Sequence, residues 1–366
     1  MSRLPAELWE QIISHLNASH TDLRACSSVS PTFRFAAQAL LFADLMLNTR
    51  VETGRFIAVA RASPHLSTHV RRLALVVGRV HGEIPALVRG CAWPKLRELE
   101  LHQVPLVVAD APFHALCGFL AMRTVRELTI SFTPPSAASL RRFLGACSAD
   151  LDNVTIWHCE QSESSDAIGD DFANLTHTIA PASRRPLIRT LNLIRSSAAA
   201  SILLDPLSPL DLAELRELHL DRVDAPVWNV FLRETGHGIE KIYLDAHDAL
   251  HHIDVSLLPS LCAIHFTNLS TNITGFIRGL KPPNGIRTVF ILISDLDVSD
   301  GSLQKFGADF ESAVVERLTA IERIVVDILF IQSEMEQVEV DAVLRSALPE
   351  LSGKGKVYTS AGKVAG

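Results

Sequence analysis

Two segments carry side chains whose types and spacing suggest chemistry. In His247-x-x-x-His251, with His252 and Asp254 close behind, two imidazoles stand at the i, i+4 spacing from which a helix face can reach one zinc ion. Asp248 occupies the place of the glutamate that a zincin-type site uses as its base, so a solvated loop or helix face is the expectation. Asp295-x-Asp297-x-x-Asp300 offers carboxylates to a hard cation, but it lacks the twelve-residue loop and the bidentate glutamate of a calcium site. A turn leading into a helix at 302 is expected there instead. No glycine-rich phosphate loop follows a strand, and no G-x-S-x-G elbow occurs. The chain therefore reads as a non-enzyme with no cofactor and no metal.

A third set is defined by repetition. The hexamer aliphatic-x-x-aliphatic-x-aliphatic begins at residues 70, 96, 125, 151, 188, 215, 239, 261, 286 and 321, at intervals of 22 to 37 residues. Alternation at positions four and six predicts a half-buried strand. Segments of helical character follow at 136–147, 224–235, 270–280 and 302–319, the last with Leu303, Phe306, Phe310, Val314 and Leu318 on one stripe. Ser136, Asp224 and Ser302 are candidate N-caps. Strand and helix alternating at this period predict an α/β solenoid of parallel strands on one face and helices on the other. Position five then becomes a column of adjacent rungs about 4.8 Å apart. Its run His219, Tyr243, His265, Phe290 is an aromatic and imidazole strip flanked by Glu217, Asp221, Lys241 and Asp245. Such a strip either anchors a protein partner or stacks laterally to cover the sheet. Glu217, His219, Tyr243, His265 and Phe290 are the candidate substrate-binding residues. Trp157 is a further exposed-aromatic candidate, whereas Trp228 is expected to pack its helix on the sheet.

The hexamer resembles the leucine-rich repeat, whose consensus runs on to an asparagine or cysteine. Only Leu151-x-x-Val154-x-Ile156-x-x-Cys159 completes it, and other copies place Val104, Val223 or Leu269 there. The resemblance implies a curved solenoid with its strands on the concave face and its helices on the convex face. The asparagine ladder between turns should be largely missing. A terminal strand and helix in 336–358 are expected to cap the open end. Insertions are expected around 160–186 and 294–318.

The first fifty residues differ in kind. Pro5 suits a helix start, Glu7 and Glu10 favour its positive end, and Leu8, Ile12 and Leu16 fall at i, i+4 and i+8. A second short helix over 22–30 and a third from Pro31 to Leu41 are expected. Three helices in so few residues bury little on their own. The segment resembles an F-box: Leu4-Pro5-Ala6-Glu7 with Leu8, Ile12 and Leu16 matches its opening, and Leu23, Val29, Ser30, Phe33 and Arg34 its middle. That resemblance implies docking of a Skp-type adaptor and a cullin ubiquitin ligase, with Leu4, Pro5, Leu8, Ile12, Leu16 and Val29 at the interface. The domains expected are an F-box over 1–50 and the solenoid with its cap over 51–366.

Composition narrows the partners. The formal net charge of −7 opposes a nucleic-acid backbone as the main ligand. The six cysteines show no C-x-x-C pairing, which suits thiols in a reducing compartment. The N-terminus lacks the apolar core of a secretory signal, and Pro105, Asp110, Pro112 and His114 break the most apolar stretch. A soluble protein of the cytoplasm or nucleus, away from the membrane, is expected. Its role would be substrate recognition for a ligase. The alternatives are a scaffold outside any ligase, or an enzyme with its site in one of the insertions.

Overall fold

A computed structural model describes residues 6–16, 19–104, 111–132, 137–158, 185–205, 208–221, 225–245, 250, 253–267, 271–281, 284–294, 302–330 and 337–363. The chain divides into two compact units, Met1–Pro186 and Leu187–Gly366.

The first unit opens with α1 (Ala6–Ser14), α2 (His20–Val29) and α3 (Pro31–Leu41). Ser19 caps α2 by accepting the Asp22 amide, and Ser30 both ends α2 and caps α3 by accepting the Phe33 amide at 3.3 Å. Pro31 sits in the first turn, where its missing N–H costs nothing. Arg34 Nε donates to the Ser27 carbonyl at 3.2 Å and pins α3 to α2. The shared core is small: Ile13, Leu23 and Ala37, with Leu16, Cys26, Phe33, Leu40 and Leu41 packed around it.

No linker follows. Ala43 donates its amide to the Leu40 carbonyl at 3.2 Å, while its own carbonyl accepts the amides of Arg71 and Arg72 at 2.8 and 3.0 Å. The strands β1 (Asp44–Leu47), β2 (Arg72–Val76), β3 (Glu98–Val104), β4 (Glu127–Phe132) and β5 (Asn153–Trp157) pair parallel in chain order. Helices Arg50–Ala62, Ile84–Gly90, Ala111–Leu120 and Ala137–Gly145 lie between them in sequence. The first carries a capping box between Thr49 and Glu52.

In the second unit β6 (Thr190–Ile194), β7 (Glu217–Asp221), β8 (Lys241–Asp245), β9 (Ala263–Thr267), β10 (Thr288–Ser294), β11 (Arg323–Phe330) and β12 (Val357–Lys363) also pair parallel in chain order. Helices Ala225–Thr235, Thr271–Gly279 and Ser302–Arg317 occupy three of the expected segments, and Ala137–Gly145 of the first unit occupies the fourth. Phe306, Phe310, Val314 and Leu318 are buried as their stripe requires. Ser302 is the first helical residue rather than the cap before it. Ser136, Asp224 and the Leu303 side chain lie outside the described residues, as does most of the 160–186 insertion.

The hexamers explain the packing. Side chains at positions four and six of all ten copies, from Leu73 and Leu75 to Ile324 and Val326, are at most 2% exposed. Each such aliphatic contributes up to about 2 kcal/mol of burial. One junction recurs from rung to rung: the position-two carbonyl accepts two successive amides of the next strand. Arg71 does so for Arg97 and Glu98, Arg216 for Glu240 and Lys241, and Cys262 for Arg287 and Thr288, all at 2.8–3.1 Å. This main-chain fork ties successive rungs where asparagine side chains are lacking.

Two strands extend the ladder beyond the ten hexamers. β1 follows Phe42, an aromatic in the first position, and β12 has Lys354 and Thr359 where aliphatics are expected. The end expected as a strand and helix within 336–358 is a helix, Gln337–Ala347, a short helix, Pro349–Gly353, and then β12, which runs on to Lys363.

Two non-local contacts hold that end. Gly307 lets helix Ser302–Arg317 approach helix Gln337–Ala347: a Cβ there would overlap the Ala347 carbonyl oxygen. Glu311, 8% exposed, accepts the Leu351 amide at 2.7 Å and so caps Pro349–Gly353, whose own cap position is Leu348. Glu311→Ala is expected to cost about 2 kcal/mol, because a charge-assisted hydrogen bond is lost and a buried N–H is orphaned. Urea unfolding would show this as a lower midpoint. An unchanged midpoint would mean that water replaces the carboxylate.

Candidate protein-interaction surfaces

The three N-terminal helices leave large apolar side chains in solvent. Leu8 is 41% exposed, Ile12 48%, Val29 71% and Phe35 61%. Leu4 and Pro5 lie outside the described residues. Leu16 differs from the other candidates. α1 ends at Ser14, so Leu16 turns back and packs half-buried against the helical core. Among the described side chains of α1, Ile13 is the one fully buried, about 100° round the helix from Ile12. Phe35 is absent from the sequence-based candidates. Phe33 packs inward, and two residues on Phe35 faces away, its ring 6.2 Å from that of His65.

In the second unit position five forms one column in register: Asn192, His219, Tyr243, His265, Phe290, Val325, Tyr358. The rings stack on one another. Centroid separations are 5.5 Å for His219–Tyr243, 4.1 Å for Tyr243–His265 and 3.9 Å for His265–Phe290, the last pair only 9° from parallel. Arg323 lies over the Tyr358 ring at 5.0 Å. Stacking along the ladder occupies ring faces with one another, so the central rings offer mainly their edges. At position three Lys241 Nζ donates to Glu217 Oε1 at 2.6 Å, and this bond raises the lysine's pKa. Asp221 and Asp245 stand on adjacent strands at position seven, and Asp245 is buried.

Burial dominates the electrostatics of the strip. It holds His219 below the ordinary imidazole value and, with Lys241 nearby, pushes His265 down to about 4; burial, then Glu217, raises Tyr243. Both imidazoles are thus uncharged near neutrality. Between 6.5 and about 4 an unfolded chain takes up a proton at His265 that the folded chain refuses, so stability falls as pH drops through that window. With solvent screening of this partly exposed ring, the expected loss from pH 6.5 to 5 is about 1 kcal/mol. His265→Phe, which keeps a ring against Phe290, should flatten the dependence of Tm on pH. A slope like that of the wild type would show that other groups govern it.

The first unit presents a polar strand face. Arg72 donates to Glu100 Oε1 from Nε at 3.0 Å and from Nη2 at 2.7 Å, with Glu98 3.8 Å away. Glu98 and Glu127 face each other in register; burial, then this like charge, raises the Glu98 pKa. Trp157 is exposed at position seven of β5, whereas Trp228 is buried edge-on against Phe231.

The remaining motifs bring little together. His247, His251, His252, Asp295, Asp297 and Asp300 lie outside the described residues. Asp254 caps the short turn Val255–Leu257 by accepting from the Ser256 amide and hydroxyl. Among the described residues no group of three or more His, Cys, Asp or Glu side chains is placed to hold a metal, and no helix is long and apolar enough to cross a membrane. Five cysteines are described as free thiols, and burial holds the Cys147 thiol far above its ordinary value.

Short helices around a small core leave apolar side chains outside, and a strand ladder begins at once behind them. Residues 1–43 match the F-box domain family, and that segment is an F-box domain. F-box domains bind Skp-type adaptors in Skp–cullin–F-box ubiquitin ligases. No curated protein matches the chain.

Proposed function

We propose that this chain is the substrate-recognition subunit of a Skp–cullin–F-box ubiquitin ligase. Residues 1–50 dock a Skp-type adaptor through Leu4, Pro5, Leu8, Ile12 and Val29, with Leu16 supporting α1 from behind. Residues 51–366 form a leucine-rich-repeat-like solenoid whose concave strand face holds a protein substrate. Glu217, His219, Tyr243, His265 and Phe290 contribute to that contact in the cytoplasm or nucleus. The observation that carries the reading is the F-box match over helices whose Leu8, Ile12 and Val29 stand in solvent above a small core of Ile13, Leu23 and Ala37 among the described residues. The chain catalyses nothing itself. It converts substrate ubiquitination into a reaction within one assembly and so raises the effective concentration of the acceptor lysines.

The test is co-expression of the full chain with a Skp-type adaptor and a cullin, followed by size-exclusion chromatography. Co-elution of all three is expected. Co-elution with the adaptor alone would make the chain a scaffold outside the ligase. A folded chain that binds no adaptor would overturn the proposal.

A further inference from the structure

A cationic cluster stands in the first unit where the 3-10 turn Pro64–His69 leads into β2. The rings of His65 and His69 are 6.3 Å apart, and Nε2 of His69 is buried without a hydrogen-bond partner. Arg71 follows two residues later at the head of β2. Arg97 leaves the next rung, its amide donating to the Arg71 carbonyl at 2.8 Å. Lys95 precedes it on the loop into β3. Arg71, Lys95 and Arg97 are exposed, and among the described residues none of the three has a carboxylate within ion-pairing distance. They differ in this from the equivalent arginines of later rungs: Arg126 meets Asp150 and Asp152, and Arg216 meets Glu240. His65 is held in place by Gln38 of α3 at 3.4 Å.

We propose that His65, His69, Arg71 and Lys95 form an oxyanion site that accepts a phosphate group. In a chain of net charge −7, cations are gathered here, and among the described residues Arg71 and Lys95 have no carboxylate within ion-pairing distance. A guanidinium gives paired donors and an ammonium a point charge, which a tetrahedral dianion satisfies better than a single carboxylate, and its charge acts on the inner imidazole through space. Burial, Lys95, His65 and Arg71 hold His69 below its ordinary value, and a bound dianion reverses that charge balance. None of its four residues is among those assigned to adaptor or substrate, and the site stands whether or not the ligase reading does.

Histidine ring NMR on the full chain tests it, with the His69 signal assigned by its loss in His69→Gln. Sodium phosphate is titrated at ionic strength held constant with chloride. The expected result is a saturable shift of the His69 signal and movement of its titration to higher pH. Arg71→Gln with Lys95→Gln, both at exposed positions, should weaken binding at least tenfold with Tm unchanged. A response to phosphate no larger than to chloride, or wild-type affinity in the double variant, would overturn the site. Tighter binding of O-phosphoserine than of inorganic phosphate would mark a phosphorylated side chain as the ligand. The reverse order would mark the free ion, and either order retains the site.

Discussion

Gly307→Ala is expected to destabilise the second unit by about 2–3 kcal/mol, although alanine is the better helix former. The substitution gains about 1 kcal/mol of helix propensity. Against this, the new methyl would overlap the Ala347 carbonyl oxygen and lie 2.9 Å from both the Ala347 carbonyl carbon and its Cβ. Backbone cannot rotate away as a side chain does, so the two helices must separate along their contact. Gly275→Ala is the internal control. Nothing lies within 4 Å of a Cβ at that helical position, so the same exchange should stabilise by about 0.5–1 kcal/mol. Urea melts of the two variants should move in opposite directions. Hydrogen exchange in Gly307→Ala should quicken first in β11, β12 and helix Gln337–Ala347. A Tm that rises in both variants would show that the close approach at Gly307 does not exist in solution.

Leu8→Asp with Ile12→Asp is expected to reduce adaptor binding at least a hundredfold while leaving the chain folded. Both side chains are exposed in the free chain, so the new carboxylates meet water there and cost little. In a complex that covers them, two charges would be desolvated without partners, which easily exceeds the roughly 3 kcal/mol that a hundredfold loss represents. The contrast is Ile13→Asp. It buries a charge in a core whose other buried members among the described residues are Leu23 and Ala37, and it should unfold the helices outright. Calorimetry with purified adaptor separates the cases. Binding within threefold of wild type by the double variant would remove Leu8 and Ile12 from the interface.

Much of this was legible in the residues. Positions four and six of every hexamer are buried, so the aliphatic spacing reported the strands directly, and period-two logic placed His219, Tyr243, His265 and Phe290 in one column. β1 was harder to see, because an aromatic opens it and it follows three helices with scarcely a break. In α1 the i, i+4, i+8 series picked out Leu8, Ile12 and Leu16, yet Ile13 is the residue that packs. A short helix with apolar residues on two sides does not reveal which side meets its own neighbours. The contacts of Gly307 with Ala347 and of Glu311 with Leu351 join residues about 40 positions apart. They leave no local pattern, and neither does the grouping of Lys95 with His69 and Arg71.

Ala43 has a mechanical consequence. Its amide belongs to the last turn of α3 and its carbonyl to the first rung of the ladder, so one residue of hydrogen-bonded backbone joins the F-box to β1. A flexible tether lets a cargo sweep a volume, and its reach grows with tether length. A rigid bracket fixes an angle instead. In a ligase, the F-box and the strands that follow it would be aimed as one piece when the adaptor docks. Anything held by the strands of the first unit would then be presented by direction more than by distance.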